Sequence, residues 1–295
     1  MRVFVTGASG FVGSAVVNEL LSAGHTVLGL VRSDSAVQKL QQAGAEAYQG
    51  DVNDIEVITK CAAECDAVIH TDFNHDFSKY KQNCEDDRRV ITAFAEALKG
   101  TDKPLVITSG VGLLQLGRVV NENDALPANS EEIPRAASEE AAIAAAANGV
   151  NAYIVRLPSS VHDAGDHGFV PMVIGISKEK GKSGYINDGL NKWPAVHRSD
   201  AAKVYRLVIE QQPAQRVFHA VGEEGIAFRE IAQAISKHLH LPLVSLNPDK
   251  AKEHFTWFAH FASFNSPSSN QITCDTLGWK PTGIGLIQDM EQSYF

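Results

Sequence analysis

Through the first half of the chain, short apolar runs alternate with stretches whose apolar positions recur every three or four residues. That alternation predicts successive strand–helix units around a parallel sheet. Strands are expected near 2–6, 26–31, 46–49, 66–70, 103–108 and 151–157. Between them, Phe11 to Ser22 carries Val12, Val16, Val17, Leu20 and Leu21 at helical spacing, and Arg88 to Leu98 and Ala136 to Ala147 are further helix candidates. The fold class that follows is α/β, with a doubly wound parallel sheet. Ser138 to Ala147 is mostly alanine, a thin helix whose backbone can approach a neighbour closely, inside the fold or across a homodimer contact. Past Pro158 the rhythm breaks at Gly165, Gly168, Gly181, Gly184, Gly189 and Pro194, which predicts a smaller, irregular lobe laid over the sheet. Within it Phe228 to Leu239 reads as an amphipathic helix, Leu243 to Leu246 as a strand and Asn265 to Asn270 as a polar loop.

Composition narrows the class without naming a function. Of 295 residues, 44% are apolar and 21% charged, which rules out a fibrous or disordered chain. With 26 Lys and Arg against 35 Asp and Glu the formal charge is −9, so neither nucleic acid nor an anionic membrane is an expected partner. No run approaches the roughly 18 apolar residues of a membrane span. The first apolar run starts beside the initiator methionine and leads straight into a glycine-rich turn, so no secretory signal is expected and a cytoplasmic location is. Cys61, Cys65, Cys84 and Cys274 show neither paired C-x-x-C spacing nor a disulfide framework and read as free thiols, with no metal site.

The most specific chemistry lies in Thr6-Gly7-Ala8-Ser9-Gly10-Phe11-Val12-Gly13, between an expected strand and an expected helix. Gly7 permits a tight turn, Gly10 lets the backbone approach a pyrophosphate, and Gly13 lets the helix pack on the strand, while helix N-terminal N–H groups face the anion. Ser9, Phe11 and Val12 share this turn, so residues 1–160 are expected to form a dinucleotide-binding Rossmann domain. Residues 161–295 then form the smaller substrate lobe, partly interleaved with the sheet.

These motifs resemble the extended or atypical branch of the short-chain dehydrogenase/reductase superfamily, the epimerase/dehydratase-like and dihydroflavonol-reductase-like enzymes. The resemblance covers nearly all the chain and rests on the opening T-G-A-S-G-F-V-G, Gly50-Asp51-Val52, Ala67-Val68-Ile69-His70, Ile107-Thr108-Ser109, Val155-Arg156-Leu157-Pro158 and the segment Pro194 to Ala202. More narrowly, the chain resembles fungal and bacterial members sharing R-L-P-x-S-V-H and W-P-A-V-H-R. The resemblance implies that Asp51 and Val52 flank an adenine, that His70 and Thr71 line the path to the ribose, and that Pro158, Ser159 and Val161 border a nicotinamide. Asp51 read alone is also compatible with an Asx turn after a strand.

Families with this turn choose between NAD and NADP at the end of the second strand. Here Leu30-Val31-Arg32-Ser33 presents no carboxylate, and the Arg32 fork suits a 2′-phosphate. NADP is the expected cofactor, with NAD the alternative if Asp34, which could also cap the next helix, takes the ribose instead. The family's proton relay is a Tyr-x-x-x-Lys pair after the fifth strand, and this chain places Arg135 and Glu139 there. At i, i+4 the two can pair on one helix face, where Arg135 could polarise a carbonyl. Thr108 or Ser109 could donate to the same oxygen, and His75, Asp76, His162, His167 and His197 are within the cleft's reach in principle. Trp193 to Arg198 reads either as a substrate lid or as a packed corner. The expected activity is reduction of a small aldehyde or ketone by an NADP(H)-dependent oxidoreductase. Loss of the Tyr and Lys keeps a catalytically silent NADP(H) sensor as the alternative, and an epimerase or dehydratase is a third reading.

Overall fold

The computed structural model describes residues 1–295. Strands β1 (Arg2–Thr6), β2 (Thr26–Val31), β3 (Glu46–Gln49), β4 (Ala67–His70), β5 (Leu105–Gly110) and β6 (Ala152–Leu157) alternate with helices α1 (Phe11–Ser22), α2 (Asp34–Ala43), α3 (Ile55–Glu64), α4 (Tyr80–Leu98) and α5 (Ala136–Ala147). The remainder runs β7 (Ser160–His162), α6 (Phe169–Lys180), β8 (Ser183–Ile186), β9 (Lys192–His197), α7 (Arg198–Gln211), β10 (Val217–His219), β11 (Glu223–Ala227), α8 (Phe228–Leu239), β12 (Leu243–Leu246), α9 (Pro248–Phe255), α10 (Ala259–Ala262), α11 (Gln271–Leu277) and α12 (Leu286–Ser293). Seven strands form one parallel sheet in the order β10-β6-β5-β4-β1-β2-β3.

The central strands are apolar along their whole length because both faces are covered. Val3 and Val5 of β1 enter a core with α1, α2 and α7, while Phe4 between them enters the opposite core with α3, α4 and α5. Each such fully buried side chain contributes about 1.5–3 kcal/mol. A third core around Trp193, Phe228, Phe255 and Phe258 holds the smaller lobe. Residues beyond 160 are divided between the two bodies: α7 packs against α1, and β10 pairs with β6 as the sheet's outermost strand.

Helix α4 begins eight residues before the position that its apolar spacing predicts. The reason is that the first turns carry no apolar stripe: besides Cys84, their buried positions are the polar Asn83 and Asp87. Asn83 Nδ2 donates to the carbonyls of Asn74 and Asp76 at 3.1 and 2.9 Å. Helices α2 and α3, which periodicity left unassigned, are each N-capped by a side chain, Ser33 and Asp54. The cap of α2 is therefore Ser33, and Asp34 sits in its first turn. No helix is long and apolar enough to cross a membrane, and Cys61, Cys65, Cys84 and Cys274 are unpaired.

Candidate active site

The turn between β1 and α1 needs its glycines for steric reasons visible in the fold. Gly7 lies at φ +66°, and a Cβ there would fall 2.8 Å from the Asp72 nitrogen; a Cβ at Gly13 would fall 2.1 Å from the Gly7 oxygen. No side chain caps α1 at Gly10, and Ser9 and Gly10 are exposed, so the first-turn N–H groups of the helix are left for an anion. This uncapped, Cβ-free cradle fits a pyrophosphate. Phe11 packs sideways, its ring under the Arg198 guanidinium at 4.6 Å and edge-on to His167 at 5.8 Å, and Val12 is half-buried on the α1 side of the sheet.

Arg32 is exposed just past β2, with no side-chain partner and no carboxylate beside it except Asp34, which accepts from Gln49 Nε2 at 3.0 Å. Asp51 Oδ1 accepts from the backbone and side-chain nitrogens of Asn53 at 2.8 and 3.0 Å, closing an Asx turn. Val52 packs at the rim of the core beneath it. Thr71 donates to the Thr6 carbonyl at 2.7 Å and stands against Gly13.

His70 does not point along the surface. It is buried, with Nδ1 2.6 Å from Thr6 Oγ1 and Nε2 2.8 Å from Asp87 Oδ1. Asp87, on α4, is the hub of the site. Its Oδ2 receives Arg135 Nη1 at 2.9 Å and the Ser138 hydroxyl, which also meets Arg135 Nη1, and Arg135 Nη2 donates to the Thr108 carbonyl at 3.1 Å. Burial alone would raise the Asp87 carboxyl, but the Arg135 charge and the hydrogen-bonded His70 hold it down at about 2. Phe73 covers the other side of the guanidinium, 4.0 Å from ring centroid to carbon.

The expected pairing of Arg135 with Glu139 does not form. Arg135 stands just ahead of α5 and turns to α4, whereas Glu139 is fully buried and forks with Arg156 of β6, at 2.9 Å to Nε and 2.7 Å to Nη2. Arg156 also donates to the Asp124 carbonyl at 2.9 Å. Glu139 thus fastens α5 to β6 of the sheet. The Thr108 hydroxyl is also occupied, donating to the His70 carbonyl at 2.8 Å and lying 2.9 Å from Tyr205 Oη on α7. Burial keeps the Tyr205 phenol far above its ordinary range. Ser109, one residue on, is buried with a free hydroxyl, as is Ser160 beyond Pro158, while Ser159 is half-buried with its hydroxyl sealed and unpartnered. Val161 is half-buried against the sheet core.

Of the histidines, His75 and His167 are exposed near the mouth, His162 is buried against Asp289 at 2.8 Å, and His197 caps α7. Trp193 is fully buried against Phe228 and Phe169, so its segment is a packed corner and not a lid. The structure therefore brings Arg135 to the Thr108 carbonyl at the end of β5, leaves the Ser109 hydroxyl buried and unpartnered one residue on, and ties Glu139 and His162 to partners elsewhere. Sequence reasoning missed Asp87, Ser138 and Phe73. The one local signal for Asp87 was a carboxylate directly before the apolar stripe of α4.

The NAD dependent epimerase/dehydratase family model matches residues 3–220. An uncharacterized protein of Schizosaccharomyces pombe, C2A9.02, is 47% identical across all of both chains, and one of Saccharomyces cerevisiae, YLL056C, is 45% identical over 100% of this chain and 99% of its own. Among solved structures, DesIV, a dTDP-glucose 4,6-dehydratase of Streptomyces venezuelae with NAD bound, superposes with a TM-score of 0.79 over 99% of this chain and 95% of its own, at 17% identity. With the cradle on β1–α1, the parallel sheet and a family match over most of the chain, the protein belongs to the NAD-dependent epimerase/dehydratase family.

Proposed function

We propose that this family member is an NADP(H)-dependent oxidoreductase that reduces a small aldehyde or ketone. The observation that carries the reading is the Asp87–Arg135 pair at the end of β5, where the reductases that the chain resembles keep a tyrosine. Oxidising an alcohol first, as an epimerase or dehydratase cycle would, calls for a group that can accept its proton. Asp87, held at about 2, is a poor base, and the Tyr205 hydroxyl, buried and bonded to Thr108, is out of play. A guanidinium that stays charged does the opposite service: it stabilises negative charge developing on a carbonyl oxygen. Three of the five N–H groups of Arg135 are used on Asp87, Ser138 and Thr108, leaving two for a substrate oxygen.

Gly7, Gly10 and the first turn of α1 would hold the pyrophosphate, Arg32 the 2′-phosphate, and Pro158 to Val161 the nicotinamide end. Bound there, NADPH supplies the hydride. Arg135 alone stabilises the carbonyl oxygen, and solvent provides the proton that completes the alcohol. The internal ties of Arg135 also favour a second reading, an NADP(H)-binding sensor without turnover. Following NADPH oxidation by the pure protein across a panel of aldehydes and ketones decides between them. Turnover of at least one carbonyl is expected; tight NADPH binding with no turnover on the whole panel would leave the sensor.

A further inference from the structure

Two segments far apart in sequence, 73–80 after β4 and 257–261 running from the end of α9 into α10, bring their aromatic rings together in a chain that starts at Arg135. The contact runs from Phe73, which lies on Arg135, to Tyr80 at 6.4 Å between ring centroids, then to Phe77 at 5.6 Å. Phe77 meets Trp257 at 5.4 Å and Phe261 at 5.3 Å. These rings are not part of the sealed core. Phe255 and Phe258, on either side of Trp257, are fully buried, whereas Trp257 is 56% exposed and Phe73, Phe77, Tyr80 and Phe261 are half-buried. A contiguous, part-open apolar surface of this kind marks a binding site more often than an accident of packing.

The backbone at Thr256 is a second, independent observation. This β-branched residue sits at φ +53°, ψ −125°, a conformation that costs about 1–3 kcal/mol and persists only where its surroundings enforce it. Its effect is to break α9 so that Phe255 and Phe258 remain in the core while Trp257 turns outward to Phe77. Apart from Arg135, whose charge is matched by Asp87, no lysine or arginine stacks on these rings; the imidazoles of His75, 5.0 Å from Phe73, and of His260, 5.7 Å from Phe261, are the other polar groups against them. The wall itself therefore offers no free guanidinium or ammonium to a diphosphate.

Resting on the reductase reading above, we infer that the substrate is a flat, uncharged carbonyl compound, aryl or conjugated, whose ring lies on Phe77, Trp257 and Phe261 while its oxygen reaches Arg135. A nucleotide-linked sugar does not suit this wall. Trp257 is its own reporter, because Trp193 and Trp279, the two other tryptophans, are buried. Benzamide, an aryl carbonyl that NADPH does not reduce and NADP⁺ does not oxidise, should quench the tryptophan fluorescence of the NADP⁺-saturated protein saturably, and the quench should vanish in Trp257→Leu, while UDP-glucose has no effect. Stacking on one ring is worth about 0.5–1.5 kcal/mol, so the preference in kcat/KM for benzaldehyde over propionaldehyde should fall up to about tenfold in the same variant. No quench by benzamide, or a saturable quench by UDP-glucose instead, overturns the inference. A quench without turnover of any carbonyl sinks the reductase reading and leaves the aromatic seat standing. Turnover with an unchanged preference in Trp257→Leu does the reverse.

Discussion

Arg135 and Asp87 form the pair on which the proposed reduction rests, and their energetics make separate predictions. Asp87 is buried and Arg135 half-buried, and removing one partner of such a pair leaves a poorly compensated charge at a cost of up to about 3–5 kcal/mol. Asp87→Asn should lower the urea unfolding free energy by that order and depress turnover with it. Arg135→Lys keeps a charge but loses the bond to the Thr108 carbonyl and the flat contact with Phe73. A fall of about tenfold in kcat/KM, near 1.4 kcal/mol, is expected on the best carbonyl, with NADPH affinity unchanged. Rebuilding the family's relay as Arg135→Tyr with Glu139→Lys is ruled out by the structure, because a lysine at 139 would face Arg156 in a fully buried site. Arg32 offers a cleaner test, being exposed and free of partners. Arg32→Ala should weaken NADPH binding by about 1.5–3 kcal/mol and hardly alter NADH binding, as two titrations would show. Equal affinities in the parent would count against the NADP preference.

Helix α9 carries a built-in sensitivity to acid. His254 is buried with neither ring nitrogen hydrogen-bonded, and burial, together with the charges of Lys182 and Lys180, lowers its pKa to about 4. In the unfolded chain the same ring titrates near 6.5. Between those values the unfolded state binds the proton and the folded state does not, so stability is full above about pH 6.5 and falls as the pH drops toward 4. Measuring the urea midpoint from pH 7 down to 4 should show a shallower decline in His254→Leu than in the parent; matching slopes would remove His254 from the account. Asp87 works in the other direction of charge. Its carboxylate adds stability above the ordinary carboxylate range, and that share is lost only as pH falls toward about 2.

The 295 residues are not separable at residue 160. Val204, Tyr205, Val208 and Ile209 of α7 and Phe218 of β10 belong to the same core as Val3, Val5 and Val16, so a chain cut after residue 160 would expose that face of the sheet. A 1–160 fragment is expected to lack near-ultraviolet circular dichroism and a cooperative thermal transition, while the whole protein unfolds in one calorimetric step. A fragment with a sharp transition of its own would show that the sheet closes without α7 and β10.

The parts of this protein legible in its sequence are those governed by near neighbours. The glycine turn, the helix Phe11–Ser22 and the ends of β1, β2 and β3 follow from φ requirements, from apolar spacing and from strands buried on both faces. Helix α5, read at Ala136 to Ala147, follows from alanine propensity alone. The partners of its first residues do not, since Asp87 lies 48 residues from Arg135 and Arg156 lies 17 from Glu139. An i, i+4 spacing says only that two side chains can meet on an exposed face. Which charge each one faces is settled by the register of β5 with β6 and by α4 packing on α5, and buried charges accept only the partners that packing supplies. The aromatic wall was hidden for the same reason: its two halves are nearly 180 residues apart, and only the folding of the smaller lobe over the sheet brings Phe77 to Trp257.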